Sequence, residues 1–170
     1  QLGDGTTVNK SLPEQVKDAA GTGILSGISV IAAGYWHTVA LTTEGKVWAW
    51  GENAYGELGD GTTVNKSLPV QVKATGDTNS PYITITISGI SAIAAGGDHT
   101  VALTIEGTVW AWGSNYYGQL GDGTTDDKWL PVQVLNHTGA GILSGISAIA
   151  AGYYHTVALT TEGTVWAWGY

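Results

Sequence analysis

Arginine, cysteine and methionine are all missing from this chain of 170 residues. Without arginine, its fixed cations are the 6 lysines Lys10, Lys17, Lys46, Lys66, Lys73 and Lys128, which are scattered along a chain of net charge −8. Nucleic-acid backbones are held by clustered cations that release counterions, and anionic membrane surfaces by basic clusters, so neither is an expected partner. Without cysteine there are no disulfides, no thiolate metal sites and no thiol nucleophile. Methionine is absent even at position 1, as expected of a processed or excised piece of a longer protein. No apolar run approaches the roughly 18 residues of a spanning helix, and no secretory signal is legible. Charged residues are scarce at 12%, yet 43% of the residues are hydrophobic, a balance that excludes a disordered chain.

Repetition dominates what is present. LGDGTT begins at Leu2, Leu58 and Leu120, AAGxxHTVALT at Ala32, Ala94 and Ala150, and VWAWG at Val47, Val109 and Val165. The spacings are 56 and 62 residues for the first motif and 62 and 56 for the others, so the middle repeat carries six extra residues between Val72 and Gly96. Register returns afterwards, which marks the addition as a loop or strand extension at a tip. The chain therefore reads as one segment, residues 1–170, with repeats at about 2–57, 58–119 and 120–170.

Each repeat reads as strands. Ile28–Ala33 is short, apolar and rich in β-branched residues; His37–Thr42 follows a turn at Gly34; Val47–Trp50 follows the tight turn Thr43-Glu44-Gly45; and Pro69–Val72 makes a fourth strand with proline at its first position. Trp48 and Trp50 are two residues apart and share a face, while Val47 and Ala49 make the opposite face apolar as well. Such a meander stays out of water on both sides only when stacked between others, as in the radial stack of a β-propeller. The fold class expected is all-β: four-stranded antiparallel blades, three repeats of a larger propeller or of a ring closed by association of copies.

AAGYWHTVALTTEGKVWAWGENAYGELGDGTT resembles the repeat of the regulator of chromosome condensation family. Its Gly-x-x-His-Thr and Trp-Gly-x-Asn-x-x-Gly-x-Leu-Gly segments stand at Gly34–Thr38 with Trp50–Gly59 and at Gly96–Thr100 with Trp112–Gly121, and the first segment recurs at Gly152–Thr156. The resemblance implies a propeller, typically of seven blades, where this chain has three repeats; four further residues after Tyr170 would restart the pattern. The near-identity of the repeats suggests a prokaryotic type, and a longer secreted or cell-surface protein.

Motifs for chemistry are weak. His37, His99 and His155 recur once per repeat, but equivalent places on successive blades lie a blade width apart, whereas metal ligands converge to about 2 Å from the ion. They read as structural histidines bonded to a neighbouring turn, and His137 as a solvated loop residue. Asp4, Asp60 and Asp122 precede glycine in GDGTT and read as Asx turns rather than calcium loops, Gly123–Asp127 being the richest in oxygen ligands. Glu44, Glu106 and Glu162 are repeated turn residues, and neither a Gly-x-Ser-x-Gly elbow nor a phosphate loop occurs. No catalytic residue, metal site or cofactor is assigned, and an enzyme is not expected. Asn9, Asn65 and Asn136 fit the N-glycosylation pattern, which matters only on an exported chain from a glycosylating host.

The informative positions are those that vary on a scaffold otherwise nearly copied. Before each histidine stand Tyr35-Trp36, Gly97-Asp98 and Tyr153-Tyr154; after Trp-Gly come Glu52-Asn53-Ala54-Tyr55 and Ser114-Asn115-Tyr116-Tyr117; and Trp129 replaces Ser11 and Ser67. Loops on a rigid scaffold carry binding, and tyrosine and tryptophan are favoured contacts. Tyr35, Trp36, Tyr55, Asp98, Tyr116, Tyr117, Trp129, Tyr153 and Tyr154 are the candidate protein-contact residues, with gap-filling between blades as the alternative role. The expected function is a non-enzymatic protein-binding or scaffolding module, extracellular or on a prokaryotic cell surface, with a protein partner or self-association. A self-assembling fibre or surface layer is one alternative. Nucleotide exchange on a small GTPase, implied by the founding members of the family, is another, against which the acidic charge weighs.

Overall fold

In a computed structural model the chain is described over residues 1–74, 85–86 and 89–170. Its strands are β1 Ile28–Ala33, β2 His37–Thr42, β3 Val47–Gly51, β4 Lys66–Gln71, β5 Lys73–Ala74, β6 Ile85–Thr86, β7 Ile90–Ala95, β8 His99–Thr104, β9 Val109–Gly113, β10 Lys128–Gln133, β11 Ile146–Ala151, β12 His155–Thr160 and β13 Val165–Gly169. They form antiparallel sheets in the order β1-β2-β3-β4, β7-β8-β9-β10 and β11-β12-β13, with β5-β6 a short hairpin. That pair stands where Lys17↔Ile24 and Leu135↔Ile142 bridge in the other repeats, and the six-residue addition lies outside the described residues. The first two sheets each take three strands from one sequence repeat and an outer strand from the head of the next: β3 ends at Gly51, and β4 lies beyond the second LGDGTT.

The fourth strand differs from the sequence expectation. It runs from Lys66 to Gln71 rather than from Pro69 to Val72. Register slips between Ala49↔Val70 and Gly51↔Lys66, and Pro69, which has no N–H to give the ladder, falls within the slip.

Alternation along the strands decides which face meets which neighbour. On the first sheet Val39, Leu41, Val47 and Ala49 point forward and pack with Ile90, Ile93, Ala102 and Trp112 of the second. The second sheet sends Val101, Leu103, Val109 and Ala111 forward onto Ala158, Ile149 and Trp168 of the third. Every interface thus joins a Val/Leu face to an Ala/Trp face, and the inner strands β1, β7 and β11 pack side by side about the axis. Trp112 is fully buried, whereas Trp166, on the third sheet, is 39% exposed. At roughly 25 cal/mol per Å² of apolar surface, these two interfaces are the main source of stability.

The loop after each third strand locks the next interface. Leu58 is fully buried between the first two sheets. Gly59 follows with φ of 64°, and a Cβ there would stand 2.8 Å from the Trp112 indole nitrogen and 2.9 Å from Val72. Only glycine allows both that backbone turn and that approach.

Candidate functional site

The β1–β2, β7–β8 and β11–β12 loops and the loops after the third strands lie at one rim of the stack, with Glu52 N donating to Trp36 O and Ser114 N to Asp98 O. Beneath the rim runs a repeated polar relay. His37 Nε2 lies 3.0 Å from Thr100 Oγ1, which donates to the Glu57 carbonyl at 2.9 Å, and Trp112 Nε1 donates to the same carbonyl at 2.8 Å. One repeat on, His99, Thr156, Trp168 and the Gln119 carbonyl repeat the pattern. The threonine hydroxyl gives its single proton to the carbonyl and so accepts from the imidazole, which is the neutral Nε2–H tautomer. Burial lowers the pKa of both His37 and His99 to about 4, the second helped by the neighbouring histidines. These residues are therefore inter-blade ties, as a structural role requires, but their partner is a strand threonine of the following sheet and not a turn.

The GDGTT aspartates are Asx turns. Asp60 Oδ1 accepts from Thr62 N at 2.9 Å and from its hydroxyl at 2.7 Å, and Lys66 Nζ stands 3.4 Å from Oδ2; Asp4 with Lys10 and Asp122 with Lys128 repeat this. The hydrogen bonds from Thr62 and the Lys66 charge outweigh burial and hold the Asp60 carboxyl below its ordinary value. Buried Asn53 fastens the same loop, donating to Thr62 O and accepting from Leu58 N, both at 2.9 Å, and Asn115 does so in the next. The loops are thus rigid supports for the side chains that vary on them.

Those side chains meet. Tyr35 packs edge-on against Trp36 at 4.7 Å between ring centroids and against Tyr153 at 5.3 Å; Tyr153 meets Tyr154 at 4.4 Å; Tyr154 meets Tyr117 at 5.0 Å; and Tyr117 meets Tyr116 at 4.9 Å. Six exposed rings form one continuous run across all three sheets. The middle repeat makes this possible by its difference. Gly97 stands where the others carry tyrosine, and a Cβ there would lie 2.8 Å from the Tyr153 ring. Tyr153 crosses that gap, its carbonyl accepting from Gly97 N, and so reaches Tyr35.

Tyr55 and Asp98 do not join the ring run but line a cavity of 460 Å³ beside it, together with Tyr116, Tyr117 and Tyr154. Trp129 stands apart, against the backbone of Gly56. Two residues went unselected in the sequence. Tyr170 contacts Tyr117 at 4.9 Å and Tyr154 at 6.4 Å. Glu57 is buried, its Oε2 accepting from Tyr55 N at 3.0 Å while Oε1 finds no partner among the described residues. Burial, reinforced by Asp98 and Glu52 and opposed by the backbone hydrogen bonds, pushes its pKa up to about 7. The signal was there to find: Gln119 and Gln1 hold the equivalent place. Among the described residues no three His, Asp or Glu side chains gather as metal ligands.

Comparison with known proteins places this arrangement. The profile of the regulator of chromosome condensation (RCC1) repeat matches residues 1–41, 44–103 and 106–159. The chain is 33% identical to the ultraviolet-B receptor UVR8 of Arabidopsis thaliana over 172 aligned residues, covering 100% of the chain and 34% of that protein. Among solved structures, human WBSCR16 superposes with a TM-score of 0.70 at 24% identity, covering 100% of this chain and 41% of that one. Prp20p of Saccharomyces cerevisiae, whose structure was reported with its binding to Gsp1p and histones, gives 0.66 at 24% identity, covering 85% of this chain and 34% of its own. The blades are those of an RCC1-type β-propeller, and the chain spans about a third of the length of the curated relative. These three relatives are eukaryotic, so the prokaryotic assignment rests on the sequence reading alone.

Proposed function

The chain belongs to the RCC1 repeat family, and from that premise we propose that it is a non-enzymatic protein-binding module whose contact surface is the aromatic rim. The observation that carries this reading is the unbroken run from Trp36 through Tyr35, Tyr153, Tyr154 and Tyr117 to Tyr116. Contiguous exposed apolar surface marks an interaction site, and rigid aromatic side chains lose little freedom on binding. Most positions that build the run, Tyr117 and its counterpart Tyr55 excepted, differ between otherwise copied repeats, as expected where contacts are made. Reported binding of Gsp1p and histones by Prp20p lends the fold a precedent for protein partners.

The test is capture of partners on the immobilised full-length protein by cross-linking, followed by direct affinity measurement with the purified partner. Replacing Tyr35, Tyr153 and Tyr154 with alanine weakens that affinity at least tenfold, by the usual worth of aromatic anchors. Replacing Glu44 and Glu162, in turns of the β2–β3 and β12–β13 hairpins, leaves it unchanged. The opposite pattern defeats the reading. Self-association is a second reading, favoured by the exposed forward face of the third sheet, with Leu159 and Val165. Light scattering that finds a monomer at every concentration removes it.

A further inference from the structure

We propose that the cavity beside Tyr117 receives an arginine or lysine side chain of the partner polypeptide. This rests on the reading of the rim as a protein-binding surface and adds the chemistry of its occupant. The cavity encloses 460 Å³, room for a long side chain, and its walls are the rings of Tyr55, Tyr117 and Tyr154. Asp98, Asp126 and Asp127 supply its charge. The nearest cation in sequence, Lys128, is engaged by Asp122 at 3.3 Å and does not line the cavity.

The three carboxylates are not equivalent. Asp127 is occupied, accepting from Asn115 N at 2.8 Å, and with Asp126 it stands exposed. Asp98 is half-buried, and burial raises its pKa, with no cation or hydrogen bond opposing it among the described residues. Equivalent positions in the other repeats hold Trp36 and Tyr154, so a single carboxylate interrupts the aromatic series at the middle sheet. A cation entering between the tyrosine rings meets both features at once: the negative faces of the rings and a partly desolvated carboxylate whose charge it neutralises. Guanidinium fits best, since it stacks on rings and bonds a carboxylate in two places.

The experiment is saturation-transfer NMR on the full-length protein with N-acetyl-L-argininamide as probe, beside the neutral N-acetyl-L-glutaminamide and tetramethylammonium. The expected result is saturable binding of the arginine probe in the millimolar range, weakened at least fivefold in Asp98→Asn and in Tyr117→Ala, with the glutamine probe silent. Asp98→Asn keeps the side chain's shape, and an unchanged thermal midpoint certifies that its fold is intact. Absence of arginine binding overturns the proposal, as does binding equal in wild type and Asp98→Asn. Tetramethylammonium binding as tightly as the arginine probe overturns the polypeptide assignment in favour of a quaternary ammonium group. The rim reading fails separately: a purified partner that ignores the Tyr35, Tyr153 and Tyr154 substitutions removes it whatever the probe does.

Discussion

Glu57→Gln is expected to stabilise the protein, and to do so only where the pH allows. In the folded state burial holds the Glu57 carboxyl near pKa 7, against 4.5 for the free side chain. Between those values the folded chain keeps a proton that the unfolded chain has released, so stability falls as pH rises through the window. A displacement from 4.5 to about 7 corresponds to about 3 kcal/mol, taken as a ceiling since the rim is close to water. Glutamine at this place has a working example in Gln119, whose Oε1 accepts from Tyr117 N at 3.0 Å as Glu57 Oε2 does from Tyr55 N. Urea unfolding followed by tryptophan fluorescence at pH 4.5, 6 and 8 reads the effect. The variant and the parent are within about 0.5 kcal/mol at pH 4.5, where the carboxyl is protonated in the folded state. They diverge through pH 6 and reach a plateau above pH 7, with the variant ahead by about 2–3 kcal/mol, or on the order of 5–10 °C in midpoint. A difference flat in pH, or a variant weaker at pH 8, refutes the burial argument.

Acid works in the other direction through the histidines. His37 and His99 stay neutral in the folded state down to about pH 4 while the unfolded chain protonates near 6.5, so stability drops as pH falls through that range; Glu57→Gln unfolding measured from pH 7 to 4 isolates the slope. Thr100→Val removes the hydroxyl that bonds both His37 and the Glu57 carbonyl and costs about 1–3 kcal/mol by denaturant titration. Trp112→Ala costs about 3–5 kcal/mol, whereas Trp166→Ala, at a half-exposed site where the ring stacks on His137, costs about 1 kcal/mol in the same titration. Gly97→Ala drives a methyl into the Tyr153 ring, costs about 1–3 kcal/mol, and shifts the Tyr35 ring resonances as their contact breaks.

Much of the fold was legible because strand alternation and repetition give the same answer. The expected first strand matches β1 and the second matches β2, and the Val47/Ala49 and Trp48/Trp50 faces divide as their spacing requires. The fourth strand was misplaced because proline marks a ladder interruption, and only the partner strand reveals that pairing resumes at Lys66. At the site, the variable positions marked the candidate residues but not which ones touch. The Tyr35–Tyr153 contact spans a whole sheet and depends on Gly97 leaving space, a property of stacking rather than of local sequence. The histidine relay was hidden for the same reason, since His37 and His99 each bond a threonine of the following sheet, and Thr100 lies 63 residues beyond His37.

The offset between sequence repeat and sheet has a mechanical consequence. Because β4 belongs to the repeat that goes on to build β7, β8 and β9, the backbone stitches each sheet to its neighbour along the outer edge, opposite the packed inner strands. A linear array of self-contained repeats can fray one unit at a time from its ends. Here the second repeat cannot unfold without pulling β4 from the first sheet, nor the third without pulling β10 from the second, so melting of one repeat spreads to its neighbour.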